Sequence, residues 1–167
     1  MLQKAIVIGC PGGGKSTFAR RLRDLTGLPL YYLDMLWHRP DGTTVSREEF
    51  DAGLGRILRE DRWILDGNYL RTLEARLAVC DAVFLLDFPL EVCLAGAEER
   101  IGKRREDMPW VEASLDPEFR QWILDFPRDQ LPRIYELLRK YRTDTAEIVF
   151  RSRREAEDWL SAPRTHA

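Results

Sequence analysis

The chain is expected to fold as an α/β domain, a parallel β-sheet with helices on both faces. Two observations predict this. Five short apolar runs, mostly continuous rather than alternating, are interleaved with segments of helical period. The first run is followed at once by "GCPGGGKST" (9–17), a glycine-rich loop that ends in one lysine and two hydroxyl residues before a helical pattern begins.

The elements can be read in order. "KAIVI" (4–8) is the first strand, and Phe18, Leu22 and Leu25 give the first helix its stripe at i, i+4, i+7. "LPLYYL" (28–33) is the second strand. Ser46 with Glu49 three residues on forms a capping box, and Phe50, Leu54, Ile57 and Leu58 carry the helix that follows. "RWILD" (62–66) and "DAVFLLD" (81–87) are the third and fourth strands. Leu90, Cys93, Leu94, Ala97 and Ile101 form the next helical stripe. Residues 100–130 are charged, contain three prolines and break the alternation, so they read as an excursion from the sheet. Leu131, Ile134, Tyr135 and Leu138 resume the helical period, "AEIVF" (146–150) is the fifth strand, and a last helix spans 153–161. The tail "PRTHA" is expected to fray.

At 167 residues and 44% hydrophobic, the chain suits one domain with a substantial core. A net charge of −2 argues against a general affinity for nucleic acid. No apolar stretch is long enough for a membrane helix, since "AVFLLDFPL" is short and interrupted by Asp87. The opening residues run straight into a strand pattern, so no leader is expected. Cys10, Cys80 and Cys93 lack metal-ligand spacing and read as reduced thiols of a cytoplasmic protein. Cys10 reads as a small filler in the glycine loop, with a reactive thiol as the alternative.

Gly9, Gly14, Lys15 and Ser16 match G-x-x-x-x-G-K-[ST], the phosphate-binding P-loop, in its strand-loop-helix setting. Glycines at 9, 12, 13 and 14, with Pro11, let the backbone turn sharply and aim N–H groups at phosphate oxygens. The helix start adds its positive end. Lys15 can reach the β- and γ-phosphates, Ser16 can offer its hydroxyl to Mg²⁺, and Thr17 can support the α-phosphate. ATP with Mg²⁺ is the expected ligand. No N-K-x-D sequence is present to favour GTP.

Asp34, Asp66 and Asp87 each end a predicted strand, on the sheet edge where the P-loop lies. Carboxylates beside a nucleotide make sense with Mg²⁺ or with a hydroxyl to deprotonate. Asp87 reads equally as a cap for the turn that follows it. Arg100, Arg104 and Arg105 form a cluster that suits either a lid over a transferring phosphoryl group or a solvated helix end. Arg71 is a further candidate phosphate clamp. His38 reads as a pocket-rim residue, because no second ligand stands at metal spacing. Trp110, Trp122 and Trp159 read as core or lid packing.

In order, "IVIGCPGGGKSTFARRL", "LPLYYLD", "WILDGNYLRTLEARL", "DAVFLLDFPLEVCL" and "KRREDM" resemble the proteins labelled DNA topology modulation proteins, a branch of the adenylate-kinase-like P-loop kinases. The resemblance spans roughly residues 4–160. It implies a three-layer, five-stranded parallel sheet of order 2-3-1-4-5, an acceptor-binding insertion at about 34–60 and a small helical lid at about 100–130. By the same resemblance Asp66 holds Mg²⁺ through water, Arg71 touches acceptor phosphate and Asp34 stands near the acceptor hydroxyl. Trp37 and Asn68 fall on the acceptor side. Arg100 and Arg104 are lid arginines, and Arg151 and Ser152 pass the adenine. His38 and Gly42 stand where relatives tend to carry tryptophan, in the stretch facing the acceptor. One extra residue separates Asp66 from Arg71 relative to the adenylate-kinase segment.

The residues support no direct action on DNA: there is no basic face, helix-turn-helix or zinc signature. The leading expectation is an enzyme that moves the γ-phosphoryl of ATP to a small hydroxyl acceptor, as a monomer or homodimer. The alternative is a nucleotide-dependent regulator of low turnover that affects DNA topology through a partner.

Overall fold

A computed structural model describes residues 1–142 and 145–163. The strands are β1 (Lys4–Gly9), β2 (Leu30–Tyr32), β3 (Trp63–Asp66), β4 (Ala82–Leu86) and β5 (Ala146–Phe150). They form one parallel sheet in the order β2-β3-β1-β4-β5. The helices around it are α1 (Lys15–Thr26), α2 (Leu33–Trp37), α3 (Arg47–Leu58), α4 (Leu70–Leu77), α5 (Leu90–Glu99), α6 (Pro117–Asp129), α7 (Leu131–Tyr141) and α8 (Arg153–Ser161).

The continuous apolar runs have the expected cause. In β1 the successive residues Ala5, Ile6, Val7 and Ile8 are all fully buried, and Trp63, Ile64 and Leu65 of β3 are as well. Side chains alternate faces along a strand, so consecutive burial means both faces are covered. Phe18 of α1 packs on Phe84 of β4 and Phe150 of β5, with ring centroids 5.2 and 5.4 Å away, and Trp159 of α8 completes this aromatic cluster. The expected packing role of Trp159 is therefore observed. Register places Val7 beside Asp66 and Gly9 beside Leu86, which brings the carboxyl ends of β1, β3 and β4 level at one edge.

Several boundaries differ from the sequence reading. β2 is an edge strand of three residues, and the chain turns into α2 at Leu33 rather than continuing extended. Asp34 therefore lies in the first turn of a short helix. Leu25 is half exposed, and Ile101 falls beyond the end of α5. α4 was not anticipated, although Leu70, Leu73 and Leu77 have the spacing for it. The excursion at 100–130 divides in two. Residues 100–116 are irregular, whereas 117–129 form α6, whose Ile123 and Phe126 are buried in the core. Pro117 sits at the start of α6, where a missing N–H costs nothing, and Asp116 caps it through the N–H groups of Glu118 and Phe119. Pro127 stands in its last turn. The Ser46 capping box is present, with the Glu49 N–H donating to Oγ at 3.1 Å. The expected fraying of the tail concerns residues outside those described, apart from Pro163. Among the described residues no helix is long and apolar enough to cross a membrane, and no group of His, Cys, Asp and Glu could hold a metal ion by itself.

Candidate active site

The loop after β1 is held against the molecule by close backbone contacts. Gly12 has φ +81°, and a Cβ there would lie 2.1 Å from the Cys93 carbonyl oxygen of α5. On the other side, a Cβ at Gly96 would lie 1.9 Å from the Gly12 carbonyl oxygen. Loop and helix thus meet glycine to glycine, and neither position tolerates a side chain. α1 begins after Gly14, in left-handed conformation, with no side chain capping it. Its first-turn N–H groups are left for an anion. Lys15 folds back over the loop, with Nζ 3.5 Å from the Cys10 carbonyl oxygen.

The loop is also fastened to the segment after β3. The Asn68 amide brackets the Gly9 peptide groups. Its Oδ1 accepts from the Gly9 N–H at 3.0 Å, and its Nδ2 donates to the Gly9 carbonyl at 2.7 Å. Asn68 is itself held from behind by the fully buried Arg76, which donates to the carbonyls of Gly67 (2.9 Å), Asn68 and Tyr69 (3.2 Å). Burial lowers the Arg76 guanidinium to about 9.

Ser16 Oγ donates to Asp66 Oδ2 at 2.5 Å. Asp66 is buried, and its other oxygen has no protein partner. Burial raises the carboxyl to about 6, while Lys15 and the Ser16 hydroxyl favour the ionised form. A hydroxyl and a carboxylate side by side at a phosphate loop, one oxygen orphaned, are the donor set that suits Mg²⁺, which keeps waters and takes its other ligands from phosphates. Asp34 lies nearby, accepting from the Tyr69 hydroxyl at 2.6 Å. Tyr69 stacks on Phe50, and burial followed by the Asp34 charge pushes its phenol well above the ordinary range.

Two cavities open on this edge. The first, about 420 Å³, is lined by residues 12–17, by Arg20 and Arg21 of α1, by residues 99–105 in part, and by Arg153, Ala156 and Leu160 of α8. The second, about 780 Å³, is lined by Asp34, His38, residues 66–70 and much of the 107–116 segment, with Phe119 and Trp122 of α6. Lys15, Ser16, Arg100, Arg105 and Asp107 line both. Arg100 Nε is buried without a partner, and its guanidinium lies 5.8 Å from the Phe119 ring centre. Burial, then the neighbouring Arg105, lowers its pKa. Arg105 is engaged, with Asp107 at 3.1 Å and Glu112 at 3.4 Å.

The structure therefore brings Gly12, Gly13, Gly14, Lys15, Ser16, Thr17, Asp34, Asp66, Asn68, Arg100 and Arg104 to the cavities, with Pro11 on the second. Gly9 supports the loop from beneath. His38 does stand on the rim, edge-on to Trp110 at 5.1 Å. Five residues named from the sequence lie elsewhere. Arg71 forms a bidentate pair with Asp51 at 2.6 and 3.1 Å on the surface and lines neither cavity. Trp37 packs edge-on against Phe50 at 5.8 Å. Asp87 accepts from the Tyr135 hydroxyl at 2.6 Å and pairs with Arg151, so both are occupied away from Ser16. Ser152 caps α8 through the Glu155 N–H. Of this segment it is Arg153, not Arg151 or Ser152, that lines the first cavity.

Sequence reasoning missed Arg20, Arg153 and Asp107. Arg20 was legible, being one helical turn beyond Ser16. It donates to Thr17 Oγ1 at 3.2 Å and approaches the buried Asp107 at 3.6 Å. Asp107 had no local signal.

No protein-family model and no curated protein matches the chain. Solved structures do. A shikimate kinase from Acinetobacter baumannii in complex with shikimate superposes with a TM-score of 0.63 at 19% identity, covering 96% of this chain and 89% of that one. A shikimate kinase from Bacteroides thetaiotaomicron gives 0.57 at 14% identity, covering 96% and 95%. A gluconokinase from Sinorhizobium meliloti 1021 gives 0.53 at 17% identity, covering 95% and 91%. Nothing among them supports the DNA topology modulation label. The chain has the fold of the small-molecule P-loop kinases.

Proposed function

We propose that this protein is a phosphotransferase that moves the γ-phosphoryl group of ATP to a hydroxyl of a small acceptor. One observation carries the reading: two cavities, one built on the phosphate loop and one on Asp34, meet at a wall made of Lys15, Ser16, Arg100 and Asp107. A nucleotide-binding switch needs the first cavity alone. A second chamber opening onto the γ-phosphate end of the first is what group transfer requires.

In this reading the loop amides, the start of α1 and Lys15 hold the phosphates. Ser16 and Asp66 would hold Mg²⁺, which supplies charge neutralisation at the phosphates. The Tyr69 hydroxyl fixes one oxygen of Asp34 and leaves the other to orient the acceptor hydroxyl and take its proton. The acceptor oxygen bonds to the γ-phosphorus as the bond to the β-γ bridging oxygen breaks and ADP leaves. Arg100, with an unpartnered nitrogen in a desolvated wall, stabilises charge on the transferring group, and Arg104 closes the nucleotide side.

The test is ADP release from Mg·ATP across nucleosides, nucleoside monophosphates and small polyols, with Lys15→Ala as control. An acceptor that stimulates the wild type and not Lys15→Ala supports the reading. Tight ATP binding with no stimulation by any compound overturns it in favour of a nucleotide-dependent regulator.

A further inference from the structure

The charges of the second cavity are distributed unevenly. Its basic side chains, Lys15, Arg100 and Arg105, all line the nucleotide cavity too. Those belonging to the second cavity alone, Asp34, Asp66, Glu112 and Asp116, are all acidic. Arg105 is moreover neutralised by Asp107 and Glu112, so it offers no free fork to a second anion. Arg71, the remaining candidate clamp, is bound to Asp51 outside the cavity. Lys15 and Arg100 face the transferring phosphoryl group, and an anionic acceptor would have to compete with it for them.

The rest of the wall is aromatic. Trp110 stands edge-on to His38, Phe119 lies beneath Arg100, and Trp122 keeps 44% of its surface exposed although α6 is anchored by Ile123 and Phe126. An exposed indole on a fixed helix and a partly buried one on a nearby loop, lining the same cavity, are a surface for a flat ring.

Resting on the phosphotransfer reading, we infer that the acceptor is a hydroxyl compound carrying a flat ring and no negative charge, of the nucleoside kind, and is neither a nucleoside monophosphate nor a carboxylic acid. The hydroxyl lies at Asp34, the ring lies against the tryptophans, and among the described residues the cavity offers a phosphate or carboxylate no free cation of its own while the Asp34 charge repels it. Exclusion by like charge is as strong a source of specificity as attraction.

The experiment uses the full chain with Mg·ATP. Each common nucleoside is compared with its own 5′-monophosphate, alongside shikimate and gluconate, by ADP release and by tryptophan fluorescence. At least one nucleoside is expected to exceed its monophosphate by about tenfold or more in kcat/KM and to quench fluorescence. Glu112→Gln, which removes one negative charge and frees one side of Arg105, is expected to narrow that ratio. A monophosphate or acid that outperforms every nucleoside overturns the inference and leaves phosphotransfer standing. If no compound in either set is phosphorylated or alters fluorescence while ATP binds, both fail.

Discussion

The side-chain amide of Asn68 closes on both the N–H and the carbonyl of Gly9, 59 residues away, and so ties the phosphate loop to the segment after β3. Asn68→Ala leaves two backbone groups unpaired in a partly buried position, at an expected cost of about 2 kcal/mol. The melting temperature should fall by roughly 4–8 °C for a chain of this size. Nucleotide affinity should fall with it, because the loop loses its support. A melting curve with and without Mg·ADP checks both.

Arg76 is the second layer of the same support. Arg76→Met removes the donor to the carbonyls of Gly67, Asn68 and Tyr69 and should cost about 3 kcal/mol in a denaturant titration. Arg76→Lys should recover little, since a single ammonium cannot span three carbonyls as a guanidinium does. Near-wild-type stability of Arg76→Met would contradict the buried role.

Asp66 makes the metal-free protein sensitive to mild acid in a particular direction. Burial raises its carboxyl from the ordinary value to about 6, so the folded state holds that proton more tightly than the unfolded chain does. Its contribution is therefore fully present below about pH 4 and is lost as pH rises through about 6. The amplitude is about 3 kcal/mol at most. Asp66→Asn should flatten this part of the stability–pH curve measured without metal, and an unchanged slope would contradict the assignment.

Two arginines that look alike in the sequence should behave differently. Arg71→Ala breaks an exposed, solvent-screened pair with Asp51 and should leave stability and acceptor KM nearly unchanged. Arg100→Ala removes a charge from the wall shared by both cavities and should lower kcat by about 100-fold with little loss of stability. Steady-state kinetics on the two variants decide between them.

Cys10 lies in the phosphate loop, yet it should be chemically quiet. It is 5% exposed, and its hydrogen bond to Cys93, together with burial, raises the thiol far above the ordinary range. Iodoacetamide at neutral pH should leave it unmodified in the folded protein and alkylate it fully in denaturant, as read by mass spectrometry.

The order of the strands, the phosphate loop and the place of Asp34 and Asp66 beside it were legible in the sequence. Each depends on local pattern: continuous apolar runs for doubly covered strands, a glycine loop between strand and helix, an aspartate where a strand ends. α2 and α6 were not, because a five-residue helix carries less than two turns of periodicity and the prolines of α6 sit at its ends, where they are tolerated. What the charged residues do was decided by tertiary structure alone. Arg71 and Arg100, Asp66 and Asp87 are the same residue types in similar local settings. One of each pair faces a cavity, and the other is taken by a partner from a distant element, Asp51 or Arg151. A charge acquires its function from what lies across from it, and in this fold the decisive neighbours, such as Ser16 and Asp66, stand 50 residues apart.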